Sequence, residues 1–137
     1  MEPLIVNITV NAPLEKVWAF FTDSEHITRW NFAHETWHCP KAENNLEVGG
    51  EFFYTMAARN KSVSFVFHGT YTEIVPLQKI EYFIEDGRKV EVFFNKIDEK
   101  TTEIFERFEP EHSNSLEMQE QGWQSILNQF KIYTESV

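Results

Sequence analysis

The sequence predicts an α+β fold in which one long C-terminal helix lies across a curved antiparallel sheet, in the order β-α-α-β-β-β-β-β-α. Three observations carry this reading. In residues 122–133, Trp123, Ile126, Leu127, Phe130 and Tyr133 recur at offsets of three and four, which gathers them into one apolar stripe on a helix. Between Phe52 and Phe108 the chain reads as successive runs with aromatic or β-branched residues at every second position. The connections between those runs are short, which makes them an antiparallel meander. A curved sheet is broader than the helix that crosses it, so the space between them is either filled by side chains or left open as a pocket.

Taken in order, Leu4–Val10 alternates apolar and polar residues and reads as a half-buried strand ended by Asn11, Ala12 and Pro13. Pro13 suits a helix first turn, and Val17, Trp18, Phe20 and Phe21 give that short helix its apolar face. Thr22, Asp23 and Ser24 form a capping signal for a second short helix through His26, Ile27 and Trp30. Residues 31–47 show no period, and so long an irregular segment is expected either to cover something, as a lid, or to be mobile.

Strands resume at Val48. Phe52, Tyr54 and Met56 share one parity, then Val63, Phe65, Phe67, Gly69 and Tyr71, then Ile80, Tyr82 and Ile84 after the Pro76 break. Val90, Val92 and Phe94 follow, and last Thr102, Ile104, Glu106 and Phe108. A three-residue loop at 85–87 would set Tyr82 opposite Val90, whereas a two-residue turn would set it opposite Glu91. Apolar pairing favours the longer loop, with Gly87 in the left-handed position of a bulge.

Composition bounds the function. One domain is expected for 137 residues, enough to bury roughly two thirds of the unfolded surface. A 42% hydrophobic and 25% charged balance is that of a folded chain rather than a disordered one. With 12 Lys and Arg against 22 Asp and Glu, the net charge of −10 argues against nucleic acid and against an anionic membrane surface as partners. The single cysteine, Cys39, excludes an internal disulfide and fits a reducing compartment. The start Met1, Glu2, Pro3 lacks a basic segment and apolar run, so a cytoplasmic location is expected.

Few residues offer chemistry. His34, His38 and Cys39 are metal-type side chains close in sequence, but no CxxC or HExxH spacing accompanies them, so neither a metal nor a cofactor is expected. His38 and Cys39 point to opposite sides of an extended segment, which leaves the thiol without a base. Glu106 shares the inward parity of Ile104 and Phe108. A carboxylate there must pair, reach water or be neutral, and an ion pair with Arg107, Arg59 or Arg88 at the rim is the expected outcome. Tyr54, Tyr71 and Tyr82 share that parity and could offer hydroxyls to a polar head.

The inward set places Phe52, Tyr54, Met56, Phe65, Phe67, Tyr82, Ile104, Glu106 and Phe108 around the space beneath Trp123, Ile126 and Phe130, with Trp30 and Trp37 at its mouth. Those are the candidate ligand-binding residues; no catalytic residue is assigned. Opposite parity puts Phe53, Val66, Phe83, Phe93 and Phe105 on the outer face, where an uncovered patch would mark association, and a homodimer is expected there. The alternative is that Lys and Glu stems cover the rings.

Five pieces also carry a resemblance: Trp30 with Trp37, His38 and Pro40; Gly49, Gly50, Glu51 and Phe52; Gly69, Thr70 and Tyr71 with Ile74 and Pro76; Asp86, Gly87, Arg88 and Val90; and Gly122, Trp123 and Gln124 with Ile126, Leu127 and Phe130. In this order and spacing the chain resembles the START-like, or Bet v 1-like, helix-grip superfamily (SRPBCC), and within it the family of the activator of Hsp90 ATPase. Where such proteins often have Asp-Gly-Ser after the Met of the second strand, this chain has Asn60, Lys61 and Ser62, and Ser64 stands where Gly is frequent. The resemblance implies a hydrophobic cavity between sheet and helix without naming its ligand. Three functions follow as expectations: non-enzymatic binding of a small hydrophobic or lipid-like ligand, a stress-response or chaperone-regulating interaction with a chaperone partner, and a cyclase- or hydrolase-like enzyme using Glu106 and a tyrosine.

Overall fold

Ten elements occur in the computed structural model, which describes residues 2–137: β1 (Leu4–Val10), α1 (Leu14–Thr22), α2 (Ser24–Trp30), β2 (Trp37–Asn44), β3 (Glu51–Ala58), β4 (Ser64–Val75), β5 (Lys79–Ile84), β6 (Lys89–Asp98), β7 (Thr101–Phe108) and α3 (Leu116–Ser136). All seven strands lie in one antiparallel sheet, ordered β1-β7-β6-β5-β4-β3-β2. The α+β architecture and the crossing C-terminal helix are those the sequence predicts. Asp23 caps α2, its side chain accepting from the Glu25 N–H at 2.9 Å, as the capping signal implies.

One expectation is corrected. The segment 31–47 is no irregular lid; Trp37–Asn44 of it is the edge strand β2, paired with β3. Pro40 explains why it reads as irregular. The proline cannot donate to a ladder, and it sits where the register shifts between His38 and Lys41, a bulge on an edge strand that breaks the alternation.

The loop inference agrees with the observed register: Tyr82 faces Val90, the Gly87 N–H donates to the Ile84 carbonyl at 2.8 Å, and Gly87 has φ +92°. Gly69 matters for a different reason. It lies opposite Phe52 across β3 and β4, and a Cβ built on it would meet the Phe52 ring at 2.4 Å. The ring therefore lies flat where a side chain would stand, which leaves room above the sheet. Gly69→Ala is expected to cost about 1–3 kcal/mol of unfolding free energy in urea titration, because the new methyl displaces the Phe52 ring and also stands 3.1 Å from the Phe83 carbonyl oxygen.

Helix α3 is tied along the free edge of β1. Gln124 Nε2 donates to the Asn7 carbonyl at 2.9 Å and Lys131 Nζ to the Thr9 carbonyl at 2.6 Å, which occupies edge acceptors that would otherwise be open to another strand. Its start is fixed by Ser115, which accepts from the Met118 N–H, and by buried Gln119, which bonds the backbone of Glu111 and Asn114. Beneath the last turns of α3 the core is solid: Phe130, Ile27, Val17 and Val10 are fully buried. No helix among the described residues is long and apolar enough to cross a membrane.

The outer face carries the residues that parity places there, but two of its rings are partly covered. Lys79 Nζ lies 5.4 Å and the Arg107 guanidinium 5.7 Å from the Phe93 ring, which also packs edge-on against Phe105. Phe53 stacks on His68 at 4.3 Å, while Phe83 and Val66 stay exposed. A homodimer through Phe93 would have to displace those cations.

Candidate functional site

The elements leave a cavity of about 300 Å³ between the sheet and the first half of α3. Its floor is Phe52, Tyr54 and Met56 of β3, Phe65, Phe67 and Tyr71 of β4, and Ile80 and Tyr82 of β5. Its roof is Trp123, Ile126 and Leu127 of α3, and its sides are the ends of α1 and α2 with Arg88 and Glu106. The reason for the opening lies in the rings. Trp123 stacks face to face on Phe108, with centroids 4.0 Å apart and planes at 10°, and so props the first half of the helix on β7 rather than letting it sink toward β3 and β4.

Ten of the candidate ligand-binding residues line this space: Trp30, Phe52, Tyr54, Met56, Phe65, Phe67, Tyr82, Glu106, Trp123 and Ile126. Four do not, each for a packing reason. Ile104 and Phe130 are fully buried in the solid part of the core, and Phe108 is hidden beneath the Trp123 ring. Trp37 leans on Phe65 with centroids 5.9 Å apart, one ring outside the lining. Phe65 itself is 53% exposed, so it stands at the mouth.

Sequence reasoning missed Phe21 and Thr22 at the end of α1, Asn31 after α2, and Ile80 and Leu127 as lining residues. For Ile80 and Leu127 the signal was present in the parity of β5 and the helical stripe. No local period shows where α1 and α2 end in space.

Glu106 departs most from expectation. It is 5% exposed, and among the described residues it forms no ion pair and no hydrogen bond. Its partners across the ladder are Val6 on β1 and Val92 on β6. The expected arginines are engaged elsewhere. Arg107 points to the outer face and binds Glu91 at 2.8 Å, Arg88 binds Asp86 at 2.8 Å, and Arg59 Nε donates to the Glu35 carbonyl. Burial alone therefore pushes the Glu106 carboxyl up to about 8, so near neutrality it is mostly protonated.

The tyrosine hydroxyls divide into two groups. Tyr71 donates to Asn44 Oδ1 at 2.6 Å, while Asn44 Nδ2 donates to the Thr22 carbonyl, a chain that ties β4 and β2 to the end of α1. Tyr82 has no hydrogen-bond partner among the described residues and lies in the field of Glu106. Burial pushes Tyr71 up to about 12 and Tyr54 and Tyr82 well above the usual phenol range, so all three keep their protons.

The other candidates have ordinary roles. Cys39 is buried, its thiol is raised by burial, and it donates to the Lys41 carbonyl, the opposite of an activated nucleophile. His34 Nδ1 bonds within its own loop to Thr36. No group of three or more His, Cys, Asp or Glu side chains placed to hold a metal ion occurs among the described residues.

Comparison with known proteins agrees with this architecture. Residues 11–135 match the family described as activator of Hsp90 ATPase homolog 1-like protein. A solution structure of an AHSA1-like protein from Aeromonas hydrophila is 35% identical, covers 97% of this chain and 93% of its own, and superposes with a TM-score of 0.88. A protein of Cytophaga hutchinsonii is 46% identical over 98% of this chain and 92% of its own, with a TM-score of 0.84. One from Chromobacterium violaceum, 22% identical over 98% of this chain and 99% of its own with a TM-score of 0.86, shares the fold. No curated protein matches the chain.

Proposed function

The chain belongs to the activator of Hsp90 ATPase homolog 1-like family, and from that premise we propose that it binds, without catalysis, a small hydrophobic or lipid-like molecule in the cavity between the sheet and α3. The observation that supports this reading is the cavity itself, about 300 Å³ lined almost wholly by aromatic and aliphatic side chains. That volume stands at the lower end of small-molecule sites, about 300–1,000 Å³, and suits a compact ligand rather than a two-chain lipid. Transfer of the ligand's apolar surface out of water drives binding. The hydrogen-bonded chain from Tyr71 through Asn44 to Thr22 keeps that part of the floor in place before the ligand arrives, which limits the ordering cost of association.

A neutral fluorescent probe tests this directly. N-phenyl-1-naphthylamine is expected to bind the native protein with a blue-shifted, enhanced emission. Ile126→Trp, which adds bulk to the roof from a half-buried helix position, is expected to weaken the probe by about tenfold or more, equivalent to about 1.4 kcal/mol. Equal binding by both proteins would place the probe elsewhere. Absence of probe binding together with a co-purifying chaperone would favour the interaction reading instead.

A further inference from the structure

A purely apolar ligand fits the rings but not Glu106. It would leave the carboxyl without a partner in the complex, and a buried polar group with no partner opposes binding. We infer that the cavity takes an apolar molecule bearing one basic amine, with the Glu106 carboxylate as its counter-charge. This inference rests on the ligand-binding reading above and names the ligand class for the same site.

Three features favour an ammonium group over other polar heads. Glu106 is nine-tenths or more buried, unpartnered among the described residues, and on the cavity wall. The Tyr82 hydroxyl, also without a hydrogen-bond partner, is in its field and can accept from a second N–H. The surrounding rings, among them Trp30, Phe52, Tyr54 and Trp123, supply π-surfaces that attract a desolvated cation. A fatty acid or phosphate head would instead be repelled by the carboxyl whenever it ionises and gains no counter-charge from it. Arg88, the cation on the lining, is already neutralised by Asp86, with Nε on that carboxylate and Nη1 on the Glu109 carbonyl.

The ionisable groups around Glu106 are few. They are Tyr82 of β5, Tyr71 of β4, Tyr54 of β3 and Arg88 ahead of β6; the lining residues from α1, α2 and α3 carry none. Val6 and Val92 flank it on β1 and β6. Forming the pair therefore requires Glu106 to release its proton to solvent while the amine keeps its own. Binding is coupled to proton release below the carboxyl's free-state pKa of about 8.

The test is calorimetric titration of 2-(1-naphthyl)ethylamine against its neutral counterpart 2-(1-naphthyl)ethanol, in two buffers of different ionisation enthalpy, with the native protein and Glu106→Gln. The amine is expected to bind native protein about tenfold or more tightly than the alcohol. It should release about one proton per ligand near neutral pH and gain affinity as pH rises toward the carboxyl's pKa. Glu106→Gln should lose the amine preference over the alcohol and the proton release. Equal binding of amine and alcohol to the native protein, or an amine preference that survives in Glu106→Gln, overturns the inference. If N-phenyl-1-naphthylamine still binds in that case, the cavity reading stands; if it does not, the cavity reading fails first. Should Glu106→Gln fail to fold, the amine-to-alcohol ratio and proton release of the native protein decide alone.

Discussion

Phe130→Ala is expected to lower the unfolding free energy by about 3–5 kcal/mol. The ring is completely buried and stands edge-on to Trp30, with centroids 4.9 Å apart at 85°, and to Phe21, 5.4 Å apart at 69°. Those three rings join the three helices: Phe21 belongs to α1, Trp30 to α2 and Phe130 to α3. Removing the central one forfeits the transfer free energy of the ring and leaves a void that its neighbours, each held by other aromatic contacts, cannot close. Urea or thermal unfolding measures the loss. Ile132→Ala, on the exposed side of the same helix, is the control and should change stability by less than about 0.5 kcal/mol. A loss below about 1 kcal/mol for Phe130→Ala would show that α3 is not docked on the sheet as described.

The second large effect is the pH dependence that Glu106 imposes. Its carboxyl is raised from 4.5 to about 8 by burial, so folded and unfolded states hold the proton differently between those values. Below pH 4.5 both forms are protonated and Glu106 opposes folding least. As pH rises, the unfolded chain gives up the proton first, and stability falls until the folded carboxyl also ionises near pH 8. Glu106→Gln removes this slope. The variant's stability relative to the native protein is therefore expected to improve by roughly 3–5 kcal/mol between pH 4.5 and pH 9, the other ionisable groups being common to both. Parallel stability curves would mean that the carboxyl reaches water or finds a partner in solution.

Both effects come from positions that strand and helix periodicity locate well. Alternation places Phe52, Tyr82 and Glu106 on the inner face, and the three-and-four spacing places Trp123 and Phe130 beneath α3. Parity gives the face but not the height of the helix above it, which is why Ile104 and Phe52 read alike although one is under solid core and the other under a void. The unpaired state of Glu106 was partly legible: Arg107 is its neighbour on one strand and must point to the opposite face. The engagement of Arg88 by Asp86 and of Arg59 by the Glu35 carbonyl depends on turn geometry that no sequence period records. Strand β2 was hidden by Pro40 and its bulge, and the volume of the cavity by the stacking of Trp123 on Phe108, a tertiary contact.

The most direct measurement is the location of a bound neutral probe by NMR. With N-phenyl-1-naphthylamine in slight excess over protein methyl-labelled at Ile, Leu and Val, nuclear Overhauser effects are expected from the probe to the methyls of Ile80, Ile126 and Leu127, which line the cavity. The outer-face methyl groups of Val66 should show none. Contacts to Val66 with silence from Ile80, Ile126 and Leu127 would place the probe on the outer face of the sheet and contradict a ligand site beneath the helix.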